Sequence, residues 1–302
     1  YSSFRHTCNM IQLSATNWRE EMEENSPEIL FVESAWDGKN SEWKGKISHR
    51  GSELVELLYW CKMNGVVTIF WNKEDPVHFN TFINSAKLFD YVFTTDIDCV
   101  QKYRKSLGND SAYFLPFACE PAIHNPIEEI ERERGICFAG AYYERYTRRC
   151  QDMHSVISEY AKGPIPVTIY DRNFQTEDSR YMFPDKFQEL IRGKLPYDEI
   201  DKAYKGFDYA LNFNSVKDSQ TMMARRVFEL AASNTMIISN YSRSLKILFG
   251  DLLIASDDGV NSRRELDEYV REDHRCKKRR LLALRKVMTE HTYHDRMSRI
   301  FK

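Results

Sequence analysis

The sequence predicts an α/β protein built from two doubly wound domains. Three observations carry this. Short apolar runs recur in both halves and end in polar residues. Helical patterns of roughly 10–15 residues separate them, as in a parallel sheet covered on both faces. One proline-rich, charged stretch interrupts the alternation near the middle. With 302 residues the chain is long enough for two domains of about 150 each.

In the first half the expected strands are EILFVES (28–34), VVTIFW (66–71), YVFTTD (91–96) and AYFLP (112–116). Helices are expected over 51–65, 76–89 and 96–108, two of them stopped by glycine. The segment 115–134, LPFACEPAIHNPIEEIERER, holds three prolines and a charged run and reads as a connection between domains. The alternation then resumes with GICFAG (135–140), a helix from Glu144 to Tyr160, PVTIYD (166–171), a helix from Tyr197 to Lys205 and DYALNFN (208–214). A helix from Ser219 to Ser233, the strand TMIIS (235–239), a short helix to Phe249 and DLLIAS (251–256) complete it. The boundaries expected are residues 1–120 for the first domain, 121–134 for the hinge, 135–280 for the second domain and 281–302 for a last helix packing back across both.

Composition narrows the function classes. The net charge of −2 gives no global field for nucleic acid. No apolar run approaches the ~18 residues of a membrane-spanning helix, and no signal peptide is visible. Seven widely spread cysteines without a C-x-x-C pair suggest neither a zinc site nor a disulfide framework. A reducing, cytoplasmic setting is expected. Residue 1 is Tyr rather than Met, as expected of a chain that begins inside a longer one.

Ligands of doubly wound sheets bind at the carboxyl ends of the strands. That rule puts Glu33, Glu74, Asp75 and Asp96 on the site side of the first domain, and Gly140, Asp171 and Asn214 on that of the second. The stretch FWNKEDPVHF (70–79) gathers Lys73, Glu74, Asp75 and His78 at one strand end. Asp75 before Pro76 reads as a helix N-cap, with Pro76 in the first helical position. Glu74 and His78 are left as candidates for a general base or for holding a reacting hydroxyl. TTDID contains a literal D-x-D, but Asp96 sits where a helix cap belongs and Asp98 complements the helix dipole. No metal is expected.

The segment 214–240, NSVKDSQTMMARRVFELAASNTMIISN, is the most informative. A polar loop leads to a helix expected to start at Ser219, whose free N–H groups would hold an anion together with Gln220 and Thr221. Arg225, Arg226 and Glu229 can share one helical face. Asn234 suits a left-handed helix end. The plain alternative is an amphipathic helix with intrahelical ion pairs.

With Glu229, Asn234 and the TMIIS strand in these places, the segment resembles the C-terminal signature of group-1 glycosyltransferases. Together with FVESAWDGKN, FWNKEDPVHF, YVFTTD, RRVFEL and the hinge, it looks like the spore maturation protein CgeB-like branch. The resemblance covers nearly the whole chain. It implies the GT-B fold, two Rossmann-like domains facing across a cleft, with the first domain lacking its first strand. It also implies transfer of a sugar, with retention of configuration, from a nucleoside diphosphate donor, UDP-linked, to a hydroxyl on a glycan, lipid-linked or protein acceptor of a bacterial envelope. No metal or other cofactor is implied, because helix ends and basic residues stabilise the departing diphosphate. By the same resemblance Glu229 binds the nucleotide ribose. Gly140, Tyr142, Arg145, Arg148 and Arg172 line the phosphate side, and Leu195 and Pro196 clasp the base. From their place at the strand end, rather than from the family pattern, Asp75, Glu74 and His78 are the expected catalytic residues. One position departs from the pattern: a second glutamate expected eight residues before Glu229 is Thr221. A catalytically idle nucleotide-sugar-binding module is therefore the alternative, and a two-lobed small-ligand receptor is a third. The basic tail, with Leu281, Leu284 and Met288 at helical spacing, reads either as a closing helix or as a peripheral contact with an anionic membrane on the cytoplasmic face.

Overall fold

The computed structural model describes residues 4–128 and 130–301. The chain divides into two compact units. The first takes in Tyr1–Phe117 and Ser219–Met222, the second Ala118–Asp218 and Met223–Lys302.

The first unit runs α1 (Trp18–Asn25), β1 (Ile29–Glu33), α2 (Ser52–Met63), β2 (Val67–Asn72), α3 (Phe79–Ala86), β3 (Tyr91–Thr94), α4 (Ile97–Leu107) and β4 (Ala112–Phe114). Its four strands are parallel and lie in the order β1-β2-β3-β4. Strand side chains alternate between faces. Leu30, Phe70, Val92 and Ala112 therefore meet Trp18 and Met22 of α1, Leu54, Leu57 and Cys61 of α2, Phe82 of α3 and Cys99 and Tyr103 of α4 in one core. Right-handed crossovers that always step the same way carry their helices to one face. The double winding expected of this half is not found among the described residues, because the strand order never reverses. On the opposite face the buried Trp71 ring meets Phe4, Phe31 and Phe117, and its indole N–H donates to the Leu115 carbonyl at 2.9 Å.

The second unit runs β5 (Glu133–Gly140), α5 (Thr147–Ala161), β6 (Val167–Asp171), β7 (Ile191–Gly193), α6 (Ile200–Lys205), β8 (Phe207–Asn212), α7 (Arg226–Ala232), β9 (Met236–Ser239), α8 (Arg243–Phe249), β10 (Ile254–Ala255), α9 (Gly259–Arg271), α10 (Asp273–Glu290) and α11 (Tyr293–Ile300). The parallel sheet has the order β10-β9-β8-β5-β6-β7. From β5 the chain steps outward to β6 and β7, then returns to β8 on the other side. The boundary between β5 and β8 is thus a topological switch point. Ile136, Phe138, Val156, Ile157, Leu211, Ile238 and Leu266 belong to the core around it.

Three further expectations need correction. No helix begins at Ser219, since α7 starts only at Arg226. Upstream, the Ser219 hydroxyl accepts from the N–H groups of Thr221 and Met222, and the Asn214 side chain accepts from that of Ala224. Side chains that satisfy these donors remove the incentive for a longer helix. Asp75 does not cap α3, which starts at Phe79 without a side-chain cap. The C-terminal stretch is not one helix from 281. α10 begins at Asp273, and α11 has its own capping box, in which Thr292 and Asp295 serve each other's backbone. The buried stripe of α10 is Cys276, Ala283, Leu284 and Val287, while Leu281 is exposed.

Other local readings hold. Asp96 caps α4 by accepting from the Asp98 N–H at 2.8 Å. Gly108 and Asn234 take left-handed conformations, φ +74° and +53°, where α4 and α7 end. The seven cysteines are free thiols, six of them buried. Helices α1 and α9 and the three-residue strand β7 were not expected from the sequence.

Candidate functional site

β5 ends at Gly140 and β8 at Asn212, the neighbouring strands that flank the switch point. Arg149, in the first turn of α5, ties the two ends together. Its Nε donates to the Phe213 carbonyl at 3.1 Å and its Nη2 to the Ala141 carbonyl at 3.0 Å. The residue is 6% exposed, and its Nη1 is buried with no hydrogen-bond partner. Arg226, the first residue of α7, reaches the same place. Its guanidinium lies over the Phe138 ring at 5.1 Å, and its Nε is also buried and unpartnered. A Cβ on Gly140 would stand 2.8 Å from Arg226 Nη2 and 2.6 Å from the Phe138 ring. Glycine at 140 is therefore what allows the guanidinium to approach.

Among the described residues no carboxylate pairs with Arg149 or Arg226. Burial, and after it the charge of Arg226, hold the Arg149 guanidinium down at about 10. It remains a cation at neutral pH. Burying the Arg149 charge without a paired carboxylate is costly, and the half-buried Arg226 adds a second positive charge beside it, so this strand end is suited to an anion.

The nearby carboxylates are engaged elsewhere. Asp152 accepts from Lys217 and Asn240, both at 2.8 Å, and Lys217 also pairs with Asp257 at 2.7 Å. This network, with Asn240 accepting from the Asn214 N–H, fixes the loop after β8. Asp171, at the end of β6, accepts from the Asn173 N–H, and burial raises its carboxyl above the usual range.

Glu229 is 3% exposed. Its Oε1 accepts from Arg225 Nε at 2.8 Å and its Oε2 from the Tyr204 hydroxyl at 3.0 Å. Burial alone would raise its pKa, but Arg225, His124, Tyr204 and Arg226 together hold it below the ordinary value. His124, buried in the segment read as a hinge, accepts from the Glu120 N–H through Nδ1. Neutral His124 therefore carries its hydrogen on Nε2, 3.9 Å from Glu229 Oε1. Arg225 shares a face with Glu229 as expected, whereas Arg226 turns to Phe138 and Gly140.

The remaining candidates scatter. Arg145 lies over the Tyr146 ring at 4.8 Å and donates to its hydroxyl. Arg148 is exposed, 3.7 Å from Asp218. Arg172 is exposed, its backbone N–H bound to the Gly140 carbonyl. Tyr142 points into the core between Phe183 and His154, and its hydroxyl meets His154 at 3.2 Å. Packing has claimed that ring. Leu195 and Pro196 lie in the loop between β7 and α6. Ser219, Gln220 and Thr221 belong to the first unit. There Thr221 accepts from the Ile97 N–H at 3.0 Å and donates to the Thr95 carbonyl, while Gln220 donates to Asp98 at 2.8 Å.

In the first unit Asp75 is fully buried at the ends of β2 and β3. It accepts from Asn72 Nδ2 at 2.9 Å, the Thr94 hydroxyl at 2.6 Å and the Tyr103 hydroxyl at 3.4 Å. Burial raises its carboxyl to about 7 against those hydrogen bonds. Asp75 thus anchors the loop that carries Glu74 and His78. Both are half-buried, and the His78 ring stands edge-on to Trp36 at 4.9 Å. Among the described residues no group of three or more His, Cys, Asp or Glu could hold a metal ion.

Arg149, His124 and Tyr204 were missed from the sequence. For Arg149 a signal existed: it shares the helical spacing of the buried Met153, Val156 and Tyr160, and a cation on such a face calls for explanation.

No curated protein sequence matches the chain. Residues 153–302, just under half of it, match the family model described as "Glycosyl transferase-like". Among solved structures, a sucrose-phosphate synthase from Thermosynechococcus elongatus aligns with TM-score 0.60 at 9% identity, covering 95% of this chain and 76% of that one. Anabaena Alr3699/HepE in complex with UDP-glucose gives TM-score 0.60 at 10% identity, covering 95% and 80%. A glycosyltransferase from Rickettsia africae gives 0.58 at 11%, covering 95% and 78%. By family model over its second half and by fold over nearly its whole length, the chain is similar to glycosyltransferases of the GT-B fold.

Proposed function

We propose that the protein is a glycosyltransferase that takes a sugar from a UDP-linked donor and passes it to a hydroxyl acceptor. The observation that carries this is the pair of guanidiniums at the β5–β8 switch point, the buried Arg149 and the half-buried Arg226, with no carboxylate paired to either among the described residues. A diphosphate supplies the missing charge there, and the same cations stabilise the charge that grows on the leaving group. The family model over residues 153–302 and a neighbour crystallised with UDP-glucose support the same reading. Glu229 acts in it by fixing Arg225, and Asp75 by fixing the loop that offers Glu74 and His78 to the reacting hydroxyl. On this reading the electrostatic work falls to side chains and requires no metal. An envelope glycan as acceptor, retention of configuration and the CgeB-like branch rest on the sequence resemblance.

A nucleotide-sugar-binding module without transfer is the second reading. It is favoured by Thr221, whose hydroxyl is spent on the Thr95 carbonyl and the Ile97 N–H where the resemblance calls for a sugar-binding glutamate. Calorimetric titration with UDP and UDP-sugars, followed by donor-hydrolysis and transfer assays, separates the two. Turnover that falls in Glu74→Ala or His78→Ala while UDP affinity holds supports the transferase. Binding without turnover supports the module. Absence of UDP binding overturns both.

A further inference from the structure

We infer that the outward face of α10 docks on an anionic phospholipid surface. The inference stands apart from the donor site and does not depend on it. The chain as a whole has a net charge of −2, yet His274–Arg285 contains Arg275, Lys277, Lys278, Arg279, Arg280 and Arg285 and no carboxylate. The fold sorts this stretch into two faces. Cys276, Ala283, Leu284 and Val287 are buried in the second unit. Arg279 also turns inward, its guanidinium 3.9 Å over the Tyr269 ring and donating to the Leu253 carbonyl.

The other face carries Arg275, Lys278, Leu282 and Arg285 at three- and four-residue spacing, with Leu281 beside them. Leu281 is 48% and Leu282 40% exposed. Arg275 pairs with Glu272 at 2.6 Å, while Lys278 and Arg285 have no carboxylate partner among the described residues. The core face of α10 is already complete without these leucines, so fold stability does not account for them. Solvation accounts for the cations but not for two adjacent leucines among them. A helix lying in the plane of a bilayer interface accounts for both. Its leucines enter the acyl boundary, and its lysine and arginine heads reach the phosphates. Nucleic acid would use the cations and leave the leucines without a role.

The test is co-sedimentation of the whole chain with vesicles of phosphatidylcholine alone and of phosphatidylcholine mixed equally with phosphatidylglycerol. Retention is expected on the mixed vesicles only, and to fall as salt is raised. The double substitution Lys278→Gln with Arg285→Gln should lower partitioning roughly 30-fold, at about fivefold per cation. Leu281→Ser with Leu282→Ser should lower it about tenfold. The altered residues are solvent-facing, so both variants should melt with the parent, which shows that they are folded. The inference is overturned if the parent does not sediment with the anionic vesicles, or if either folded variant sediments as the parent does. Retention of duplex DNA that survives the leucine substitutions, without vesicle binding, would reassign the face to nucleic acid.

Discussion

Arg149 and Arg226 are two like charges held at the end of one strand, and neither is paired with a carboxylate among the described residues. α5 and α7 each contribute one of them, and the Gly140 backbone leaves room for the second. The sheet's reversal between β5 and β8 opens the strand ends where they sit. The carboxylates near them, Asp152 and Asp171, are engaged by other partners, which leaves this pair of cations as the feature that asks for an anionic ligand.

Replacing Arg226 by Gln should weaken UDP-sugar binding by about 10- to 100-fold, the range of a lost charge-assisted hydrogen bond. The fold should lose little, because Arg226 makes no hydrogen bond that holds other elements together. Arg149→Gln should lose affinity and stability together, since the Ala141 and Phe213 carbonyls lose their donor. Melting with and without UDP distinguishes the two. Equal melting and equal UDP affinity in the parent and Arg226→Gln would remove the diphosphate from this place.

Gly140→Ala should reduce donor affinity without touching any charge. The new methyl would stand 2.6 Å from the Phe138 ring and 2.8 Å from Arg226, so one of the two must move. A cost of about 1–3 kcal/mol in stability is expected from overpacking of this kind. Chemical denaturation together with calorimetric titration reads both effects.

Asp75 should make the first unit less stable as pH rises. Its folded carboxyl is held near 7 and its unfolded one titrates near 3.8. Between those values the folded chain keeps a proton that the unfolded chain releases, so stability falls from about pH 4 to about pH 7 and is flat above. His291 acts in the opposite sense, because burial and Arg296 hold its imidazole at about 4. Comparison with Asp75→Asn isolates the carboxylate: the variant-minus-parent stability should grow with pH by roughly 2–4 kcal/mol across that window. The amide can still accept from Asn72 and donate to Thr94. A difference curve that does not change with pH would refute the assignment.

Glu229→Ala should cost about 3 kcal/mol or more, since it leaves the buried Tyr204 hydroxyl without its acceptor and removes the ion pair with Arg225. Glu229→Gln should cost less, because an amide oxygen can still serve one of the two donors. Urea denaturation of both variants measures the difference. If Glu229→Ala instead weakens UDP binding with unchanged stability, the carboxylate faces the ligand rather than the protein.

What the sequence determined by itself was the list of elements and their local endings. Apolar runs marked nine of the ten described strands, because a parallel strand covered on both faces has few polar positions. Asp96, Gly108 and Asn234 announced helix boundaries through chemistry that acts within a few residues. What only the tertiary structure decided was the partner of each polar group. Asp75 looked like a cap by its neighbours in sequence, but its donors come from Asn72, Thr94 and Tyr103, on three different elements. The Ser219 loop looked like a helix start until Asn214 took the N–H of Ala224, ten residues further on. Arg149 was not singled out in the sequence, and its role appeared only when Ala141 and Phe213 came together across the sheet. Hydrophobic period is local and survives in one dimension. Burial of a charge depends on contacts far apart in the chain, and those exist only after folding.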